Sequence, residues 1–343
     1  MNAKKTLSLS LASAMALGLL AGCGGQPAAS GDKDTVVVYI GDIFNSMTPY
    51  MTTANSDQAV FDQVYETLTV TKDDGTVAPC LAKSWKMSDD CLEYTFQLEE
   101  GVKFHNGEVM TADDVVYSFE QYLANPAKNN FVSMIDKVEM VDANTVKVTL
   151  NKITPLFLVY INELPILNKK FVEEHNGNIS DVACGTGPYK LTSIDLATSA
   201  MLERNDDYRL APAAIEKVEL RYVGDRSTAS VQLETGDLDI MSIDPSQLVS
   251  FENNDKFTVE KVQTLKTALL AINTTVAPLD NKLVRQAMTY AVDKKSVITI
   301  AYENCAVPAR LQASDTNCFG VDFSDATDFS YNPEKAKELL AEA

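Results

Sequence analysis

Histidine and the common catalytic signatures are scarce in this sequence. Of its 343 residues only two are histidine, His105 and His175. The zinc-binding HExxH pattern, the GxSxG nucleophile elbow and the phosphate-binding Walker loop are absent, and so is any CxxC pair. Catalysis needs positioned acids, bases or nucleophiles, and zinc ribbons need paired cysteines. These absences favour a protein that binds a molecule without converting it, and they predict no cofactor and no metal site.

Two short polar clusters are the remaining candidates for chemistry. Asp237 and Asp239 would share one face of a strand, as a paired acid and base do, but a solvated strand end after Gly236 explains them more simply. The run Glu173-Glu174-His175 could touch a metal, but a solvated helix face is the simpler interpretation. Neither cluster therefore predicts a catalytic residue.

Positive charge is also scarce. The sequence has 29 Lys and Arg residues against 48 Asp and Glu residues, which gives a formal net charge of −19. Such a surface repels nucleic acid and anionic lipid headgroups, and no basic patch in the sequence compensates. We interpret the acidity as a device for solubility and expect no nucleic acid partner.

The apolar run near the N-terminus is too short to cross a membrane. It covers 14 residues, 7–20, whereas a spanning helix needs about 20. Lys4 and Lys5 precede it, and Leu20-Ala21-Gly22-Cys23 follows it, so the segment has the features of a secretory signal that ends in a bacterial lipobox. We expect a signal peptide over 1–22 and a lipid on Cys23. The alternative is an ordinary export signal with an incidental cysteine.

Residues 23–34 form the next segment, which is rich in Gly, Ala, Ser and Pro and has no apolar pattern. This composition is typical of a flexible linker. A lipid on Cys23 would tether the folded part through this linker to the outer face of the cell membrane, or hold it in the periplasm. Localisation is therefore expected to be extracytoplasmic.

Five more cysteines follow the linker, and an odd number leaves at least one thiol free. They are Cys80, Cys91, Cys184, Cys305 and Cys318. The last two lie in a loop-like segment and could form a disulfide outside the cytoplasm. The alternative is that all five remain free thiols.

The most regular hydrophobic pattern lies between Leu81 and Phe119. Apolar and polar side chains alternate around Tyr94 and Phe96, which predicts a half-buried strand, and 81–87 is its predicted partner. Val102 and Phe104 predict a further short strand. Thr111 is predicted to cap a helix together with Asp114. The buried face of that helix is predicted to contain Val115, Val116, Phe119, Tyr122 and Leu123.

Strands and helices also alternate over the rest of the chain, which predicts an α/β protein of one large or two ordinary domains. The predicted strands are 36–40, 138–141, 146–150, 218–223 and 268–273, and the first of them is apolar on both faces. The predicted helices are 58–68, 228–234 with Gly236 at its end, and one that begins at Pro333.

The pattern around residues 81–119 resembles one protein family. A strand with Trp85, the sequence Tyr94-Thr95-Phe96, the turn 102–107 (VKFHNG) and the helix start 111–115 (TADDV) occur in the order seen in extracytoplasmic solute-binding proteins of ABC transporters, in the dipeptide/oligopeptide/nickel-binding family 5. Three further landmarks follow in the family's order: 185–189 (GTGPY), 234–240 (ETGDLDI) and the pattern over 273–294. The resemblance covers residues 36–343.

This resemblance implies a two-lobed periplasmic-binding-protein-like fold with an inserted α+β subdomain. The first lobe would comprise 35–68 and 184–271, the inserted subdomain 69–183, and part of the second lobe 272–343. The last helix stops without a glycine cap, and family members continue well beyond this point. We therefore expect the second lobe to be incomplete and the chain to bind ligand weakly by itself.

The resemblance also implies a function. Such a protein captures di- or oligopeptides and delivers them to the permease of an ABC importer, so the expected partners are a peptide or other small solute and the membrane permease. The alternatives are a nickel-chelate or other small-solute binder of the same family, or a sensor that presents its ligand to a receptor. Nickel-binding relatives use an arginine in the segment that matches 164–168, which here contains none. A secreted hydrolase is disfavoured because no nucleophile–base pair is present.

Five residues match positions that border the ligand cleft in the family. Phe44 and Phe131 would supply apolar walls, and Asn45 and Asn273 would offer amide hydrogen bonds to a peptide backbone. Ser56 precedes the helix on the hinge side of the first lobe. The resemblance places the partners for the peptide termini in the second lobe, beyond residue 343, so the ligand cannot be identified from this sequence.

Overall fold

The computed structural model describes residues 34–72, 75–262, 267–309, 327 and 329–343. The predicted signal peptide over 1–22, the predicted lipid site Cys23 and one partner of the possible disulfide, Cys318, lie outside the described residues. The chain divides into two compact units, Met1–Met241 and Ser242–Ala343.

The first unit contains mixed strands and helices. Its strands are β1 Thr35–Ile40, β2 Thr69–Thr71, β3 Val77–Pro79, β4 Ala82–Met87, β5 Glu93–Leu98, β6 Ile135–Asp142, β7 Thr145–Leu150, β8 Tyr189–Asp195, β9 Ser199–Arg204 and β10 Lys217–Tyr222. Its helices are α1 Asn55–Val64, α2 Ala112–Ala124, α3 Asn129–Val132, α4 Phe157–Tyr160, α5 Lys169–Glu174 and α6 Arg226–Thr235.

The first sheet has the strand order β1-β10-β9-β8. Strand β1 runs parallel to β10, and on its other side Val38 forms a bridge with Ile240. Val38 belongs to the main hydrophobic core, whereas Val37 and Tyr39 pack on the opposite face with Ala229 of α6. The prediction of a strand covered on both faces is confirmed, because only such a strand can be apolar at every position.

The second sheet has the strand order β4-β5-β7-β6 and is antiparallel throughout. The predicted pairing of β4 with β5 is confirmed, with Trp85 opposite Phe96. One face of β5 and β7 is buried through Tyr94, Phe96, Leu98, Val146, Val148 and Leu150. This alternation follows from the two-residue period of a strand and supplies about 2 kcal/mol for each large side chain that it buries. The predicted strand at Val102 and Phe104 is reduced to a single bridge between Lys103 and Val109.

Helix α2 begins as predicted, but its buried face differs by one position. The carboxylate of Asp114 accepts a hydrogen bond from the backbone N–H of Thr111 at 2.9 Å, which confirms the cap. Leu123 was predicted to be buried but is 40% exposed, and Ser118 lies on the buried face instead. The Ser118 hydroxyl donates to the carbonyl of Asp114 at 2.6 Å and accepts from the backbone N–H of Leu167 at 2.8 Å, so burial leaves this polar group satisfied.

Helix α1 is displaced from its predicted range of 58–68. It ends at Val64, and Tyr65 is already extended, with φ −114° and ψ 162°. The carbonyl of Val64 accepts from the backbone N–H of Gly187 at 2.9 Å and so does not continue the helix. A contact from a distant part of the chain therefore overrides the local helical pattern, although Tyr65 and Leu68 are buried.

The second unit contains the helices α7 Leu248–Glu252, α8 Lys282–Ala291, α9 Lys294–Ala301 and α10 Pro333–Glu342. Helices α8 and α10 share a small core of Ala287, Ala336 and Leu339. The strand predicted over 268–273 is wrong for this structure, since these residues are irregular and Leu270 is 77% exposed. Within the described residues of this unit no strand lies beside it, so its backbone groups have no ladder to join.

Candidate functional site

The loop after β1, residues 41–51, is the candidate site that the sequence singled out. Phe44 points into the main core and is 2% exposed, whereas Ile43 (48%) and Met51 (58%) in the same loop are exposed. Asn45 is also exposed, and its side-chain amide forms no hydrogen bond with the described part of the chain. The loop thus exposes one amide and two apolar side chains, and Phe44 anchors it in the main core.

Asp57, in the first turn of α1, holds this loop from beneath. Its carboxylate is fully buried and accepts from the backbone N–H of Asn45 at 2.7 Å and from the hydroxyl of Thr52 at 2.7 Å. An anion at a helix N-terminus is also stabilised by the helix dipole. Sequence reasoning missed Asp57; its place in the first turn of a helix was the available signal, but its loop partners could not be read from spacing.

Further hydrogen bonds fix the same loop to other segments. The hydroxyl of Ser56 donates to the carbonyl of Ile43 at 2.8 Å. The backbone N–H of Phe44 donates to Leu196 at 2.9 Å, and that of Met47 donates to Ser180 at 2.8 Å. Ser56 is therefore a brace whose hydroxyl is already occupied, and these contacts restrict the conformations of the loop.

The Gly-Thr-Gly-Pro landmark packs directly against the end of α1. A Cβ atom on Gly185 would lie 2.0 Å from the carbonyl oxygen of Val64, and one on Gly187 would lie 2.5 Å from that of Gln63. These distances are far below van der Waals contact, so only glycine fits at either position. The landmark is a close contact between two backbones, where sequence spacing alone suggested a tight turn.

His105 fastens this glycine segment to the 102–107 turn. Its backbone N–H donates to the carbonyl of Gly185 at 2.9 Å, and Nε2 donates to the carbonyl of Gly187 at 3.0 Å. Burial lowers the pKa of His105 to about 4, so the ring is neutral near pH 7. The geometry gives His105 a structural role.

An ion pair that the sequence did not reveal lies where the chain passes from α1 to β2. Oε1 of buried Glu66 accepts from Nη2 of Arg209 at 2.7 Å and from the hydroxyl of Tyr208 at 3.0 Å. The Glu66 carbonyl accepts from the backbone N–H of Ile166 at 2.9 Å. The Sγ atom of Cys80 lies 3.6 Å from Glu66 Oε1, and burial raises the pKa of this thiol to about 12. The Glu66 carboxylate thus joins its own segment to those of Cys80 and Arg209, and the Glu66 carbonyl adds the segment of Ile166.

The remaining predicted site residues are Phe131 and Asn273, and their contacts are with residues outside the 41–51 loop. The half-buried ring of Phe131 packs edge-on against Tyr160, with centroids 6.3 Å apart, and the ammonium of Lys128 lies 5.7 Å from the centre of the Phe131 ring. Asn273 belongs to the second unit and is exposed; its Oδ1 accepts from the backbone N–H of Thr275 at 3.0 Å. The ligand roles of Phe44, Asn45, Ser56, Phe131 and Asn273 stay predictions.

The two polar clusters considered for chemistry have structural partners. The carboxylate of Asp239 accepts from the backbone N–H of Val37 at 2.7 Å, which ties the segment after α6 to β1. The ring of His175 lies against Phe171 with centroids 4.2 Å apart, and Nδ1 contacts the carbonyl of Phe171 at 2.7 Å. Within the described ranges, no group of three or more His, Cys, Asp and Glu side chains is arranged to hold a metal ion.

In the part of the chain that the structure describes, each helix is too short or too polar to span a bilayer.

Comparison with known proteins gives a consistent family. Residues 76–343 match the family described as bacterial extracellular solute-binding proteins, family 5, middle. The chain is 32% identical to heme-binding protein A of Haemophilus influenzae over 317 residues, which is 84% of this chain and 58% of the relative. It is 31% identical to the nickel-binding periplasmic protein of Escherichia coli over 312 residues, or 87% of this chain and 58% of the relative.

Among solved structures, the periplasmic binding protein DppA of Helicobacter pylori in complex with the peptide STSA aligns with a TM-score of 0.76 and 28% identity. The alignment covers 90% of this chain and 65% of DppA. The chain thus spans about three fifths of the length of the two curated relatives. Its fold is that of these two-lobed α/β binding proteins, and it belongs to family 5 of the extracytoplasmic solute-binding proteins of ABC transporters.

Proposed function

We propose that the protein captures di- or oligopeptides outside the cytoplasm and delivers them to the permease of an ABC importer. The observation that carries this proposal is the loop over 41–51. It is fixed by Asp57 and Ser56, and the side chains of Asn45, Ile43 and Met51 in it are exposed. An amide can both donate to and accept from a peptide backbone, and apolar neighbours accommodate side chains without charge selection.

The domain arrangement forms part of the proposal. The first lobe would contain 35–68 and 184–271, the inserted subdomain 69–183, and the second lobe would begin at 272. The position of the second sheet, formed by β4 to β7, inside 69–183 supports an inserted subdomain. Binding would occur by closure of the two lobes over the ligand, whose higher affinity for the closed state drives the motion.

Attachment to the membrane is proposed from the sequence. The lipobox-like Leu20-Ala21-Gly22-Cys23 supports a lipid on Cys23, a signal peptide over 1–22 and a tether over 23–34. Mass spectrometry of the protein from its native envelope would show an acylated N-terminal cysteine. An unmodified N-terminus at any other residue would contradict this part of the proposal.

A nickel-chelate ligand is the second candidate within the family, because one of the relatives is a nickel-binding protein. The segment Leu164 to Asn168 argues against it. That segment has no arginine, and its side chains are packed in the core rather than exposed to a ligand. Turnover of the ligand is not part of the proposal, since His105 and Asp239 are both engaged in structural hydrogen bonds.

Calorimetry on the product of the complete reading frame tests the proposal. We expect di- to pentapeptides to bind with one site per chain, and Asn45→Ala to weaken binding about fivefold because one amide contact is worth about 1 kcal/mol. Asn253→Ala removes an exposed amide elsewhere and should leave affinity unchanged. Binding of nickel–histidine or heme with no response to peptides would overturn the peptide assignment.

A further inference from the structure

Two Asn-Gly dipeptides in the first unit have the same local sequence but different surroundings. Asn106-Gly107 and Asn176-Gly177 each follow a histidine, and all four residues are exposed. Both glycines have positive φ, +88° for Gly107 and +77° for Gly177. Their N–H groups each donate to a backbone carbonyl, at 2.8 Å and 2.9 Å respectively. The two glycine nitrogens are therefore restrained alike, and the sites differ in their asparagine side chains.

The side chain of Asn106 is held by hydrogen bonds on both of its polar atoms. Its Nδ2 donates to Oε2 of Glu108 at 3.0 Å, and its Oδ1 accepts from the backbone N–H of Glu108 at 3.1 Å. Oδ1 also accepts from Nδ2 of Asn168 at 3.4 Å. The ammonium of Lys170 pairs with the Glu108 carboxylate, which holds this partner in place. Rotation of the Asn106 amide therefore requires several contacts to break.

Asn176 has a fixed backbone and an unrestrained side chain. Its φ is +53°, in the left-handed region that asparagine tolerates better than most residues, and its N–H donates to the carbonyl of Glu173 at 2.9 Å. Its side-chain amide forms no hydrogen bond with the described part of the chain. This amide can therefore rotate toward the peptide bond that follows it.

We propose that Asn176 is a site of spontaneous deamidation and that the fold protects Asn106 from the same reaction. The backbone nitrogen of Gly177 loses its proton to solvent and attacks Cγ of Asn176. The Cγ–Nδ2 bond breaks, the nitrogen takes up a proton and leaves as ammonia, and a cyclic succinimide remains. Water then adds to one of the two ring carbonyls and opens the ring to aspartate or isoaspartate. Glycine favours the attack because no side chain hinders its nitrogen.

The segment that follows this asparagine supports the 41–51 loop. The hydroxyl of Tyr50 donates to the carbonyl of Gly177 at 3.2 Å, and the backbone N–H of Met47 donates to the carbonyl of Ser180 at 2.8 Å. Isoaspartate adds a methylene group to the main chain directly before Gly177. Either product also adds a carboxylate just beyond the C-terminal end of α5, where negative charge opposes the helix dipole. Deamidation should therefore loosen both bonds to the loop.

Incubation of the 343-residue chain in mildly alkaline buffer, followed by peptide mapping with mass spectrometry, tests the proposal. We expect Asn176 to convert about tenfold faster than Asn106, whose amide must first break its hydrogen bonds. Incubation in urea is the reference, because unfolding removes these contacts and the two His-Asn-Gly sequences should then react at similar rates. Glu108→Ala should raise the rate at Asn106 and leave that at Asn176 unchanged. Equal rates in the folded chain, or a faster reaction at Asn106, would overturn the proposal.

Hydrogen exchange measures the effect on the loop without any ligand. The amide of Met47 should exchange about fivefold faster in the deamidated protein, which corresponds to the loss of about one hydrogen bond. Asn176→Asp should show part of this increase, since it adds the charge without lengthening the main chain. Asn176→Gly is the matched control, because glycine accepts a positive φ and has no amide to lose, so incubation should leave its exchange unchanged.

Unchanged exchange at Met47 after conversion of Asn176 would overturn the link to the loop. An effect on peptide affinity would rest on the proposed function, so affinity is measured separately by calorimetry. A protein that binds no peptide but exchanges faster at Met47 after conversion would contradict the proposed function and support this inference.

Discussion

The two units differ in how their apolar segments are buried. In the first unit, β1 has hydrogen-bonded neighbours on both sides, and its apolar residues enter a core on each face. In the second unit, the apolar segment 268–273 has no neighbouring strand within the described residues and exposes Leu269 and Leu270. The same type of sequence is thus a strand where partners exist and irregular where they do not, because a strand alone cannot satisfy its backbone.

The largest expected effect on stability lies at the backbone contact between Gly185 and Val64. Gly185→Ala places a Cβ atom 2.0 Å from the carbonyl oxygen of Val64, so the end of α1 must move. We expect a loss of more than about 4 kcal/mol in the free energy of unfolding, or no folded protein. Gly101→Ala is the control: Gly101 has φ +72° but open space around it, so the cost should be about 1 kcal/mol. Urea denaturation followed by fluorescence measures both, and equal losses would contradict this account.

A pair of apolar truncations tests the comparison between the units directly. Phe96→Ala removes a fully buried ring from the second sheet and should cost about 3–5 kcal/mol. Leu270→Ala removes a side chain that is 77% exposed and should change stability by less than about 0.5 kcal/mol. Chemical denaturation of the two variants gives both values. A substantial loss for Leu270→Ala would mean that the segment over 268–273 is packed in solution.

Loss of the buried ion pair between Glu66 and Arg209 should lower the free energy of unfolding about as much as Phe96→Ala does. Arg209→Met leaves the Glu66 carboxylate buried without its cation, and we expect a cost of about 3–5 kcal/mol. Lys335→Met breaks the exposed pair with Glu338 and should cost at most about 0.5 kcal/mol. Combining Arg209→Met with Glu66→Gln should recover part of the loss. If the double variant is no better than Arg209→Met alone, the pair does not act as a unit.

Acid should destabilise the first unit through His105. Its pKa of about 4 in the folded protein lies below the ordinary 6.5, so folding favours the neutral ring. Above pH 6.5 the ring is neutral in both states and contributes no pH dependence. Between pH 6.5 and 4 the unfolded chain takes up the proton, and the free energy of unfolding falls by up to about 3 kcal/mol. Unfolding curves across this range measure the loss, and His105→Gln should lack this component.

Much of the first unit could be predicted from local sequence patterns. The alternation around Phe96, the apolar run of β1 and the cap formed by Thr111 and Asp114 each depend on neighbours within a few residues, and each prediction is confirmed. The end of α1 was predicted wrongly because it depends on Gly187, more than a hundred residues away.

The candidate site was only partly predictable for the same reason. Its loop was identified by resemblance, but the group that fixes the loop is Asp57, whose partners Asn45 and Thr52 follow no spacing rule. The pairing of Glu66 with Arg209 spans 143 residues and has no local signal in the sequence. Chemistry that depends on contacts across the fold becomes visible only when the fold is known.

The partners of β1 have a consequence for biosynthesis. The backbone N–H of Val37 donates to the carboxylate of Asp239, 202 residues further along the chain, and β1 pairs with β10 shortly before that point. At about 5–20 residues per second, a ribosome needs roughly 10–40 s to make the intervening chain. Throughout that time β1 lacks both of these partners, so the first sheet cannot be completed until the ribosome has passed residue 239.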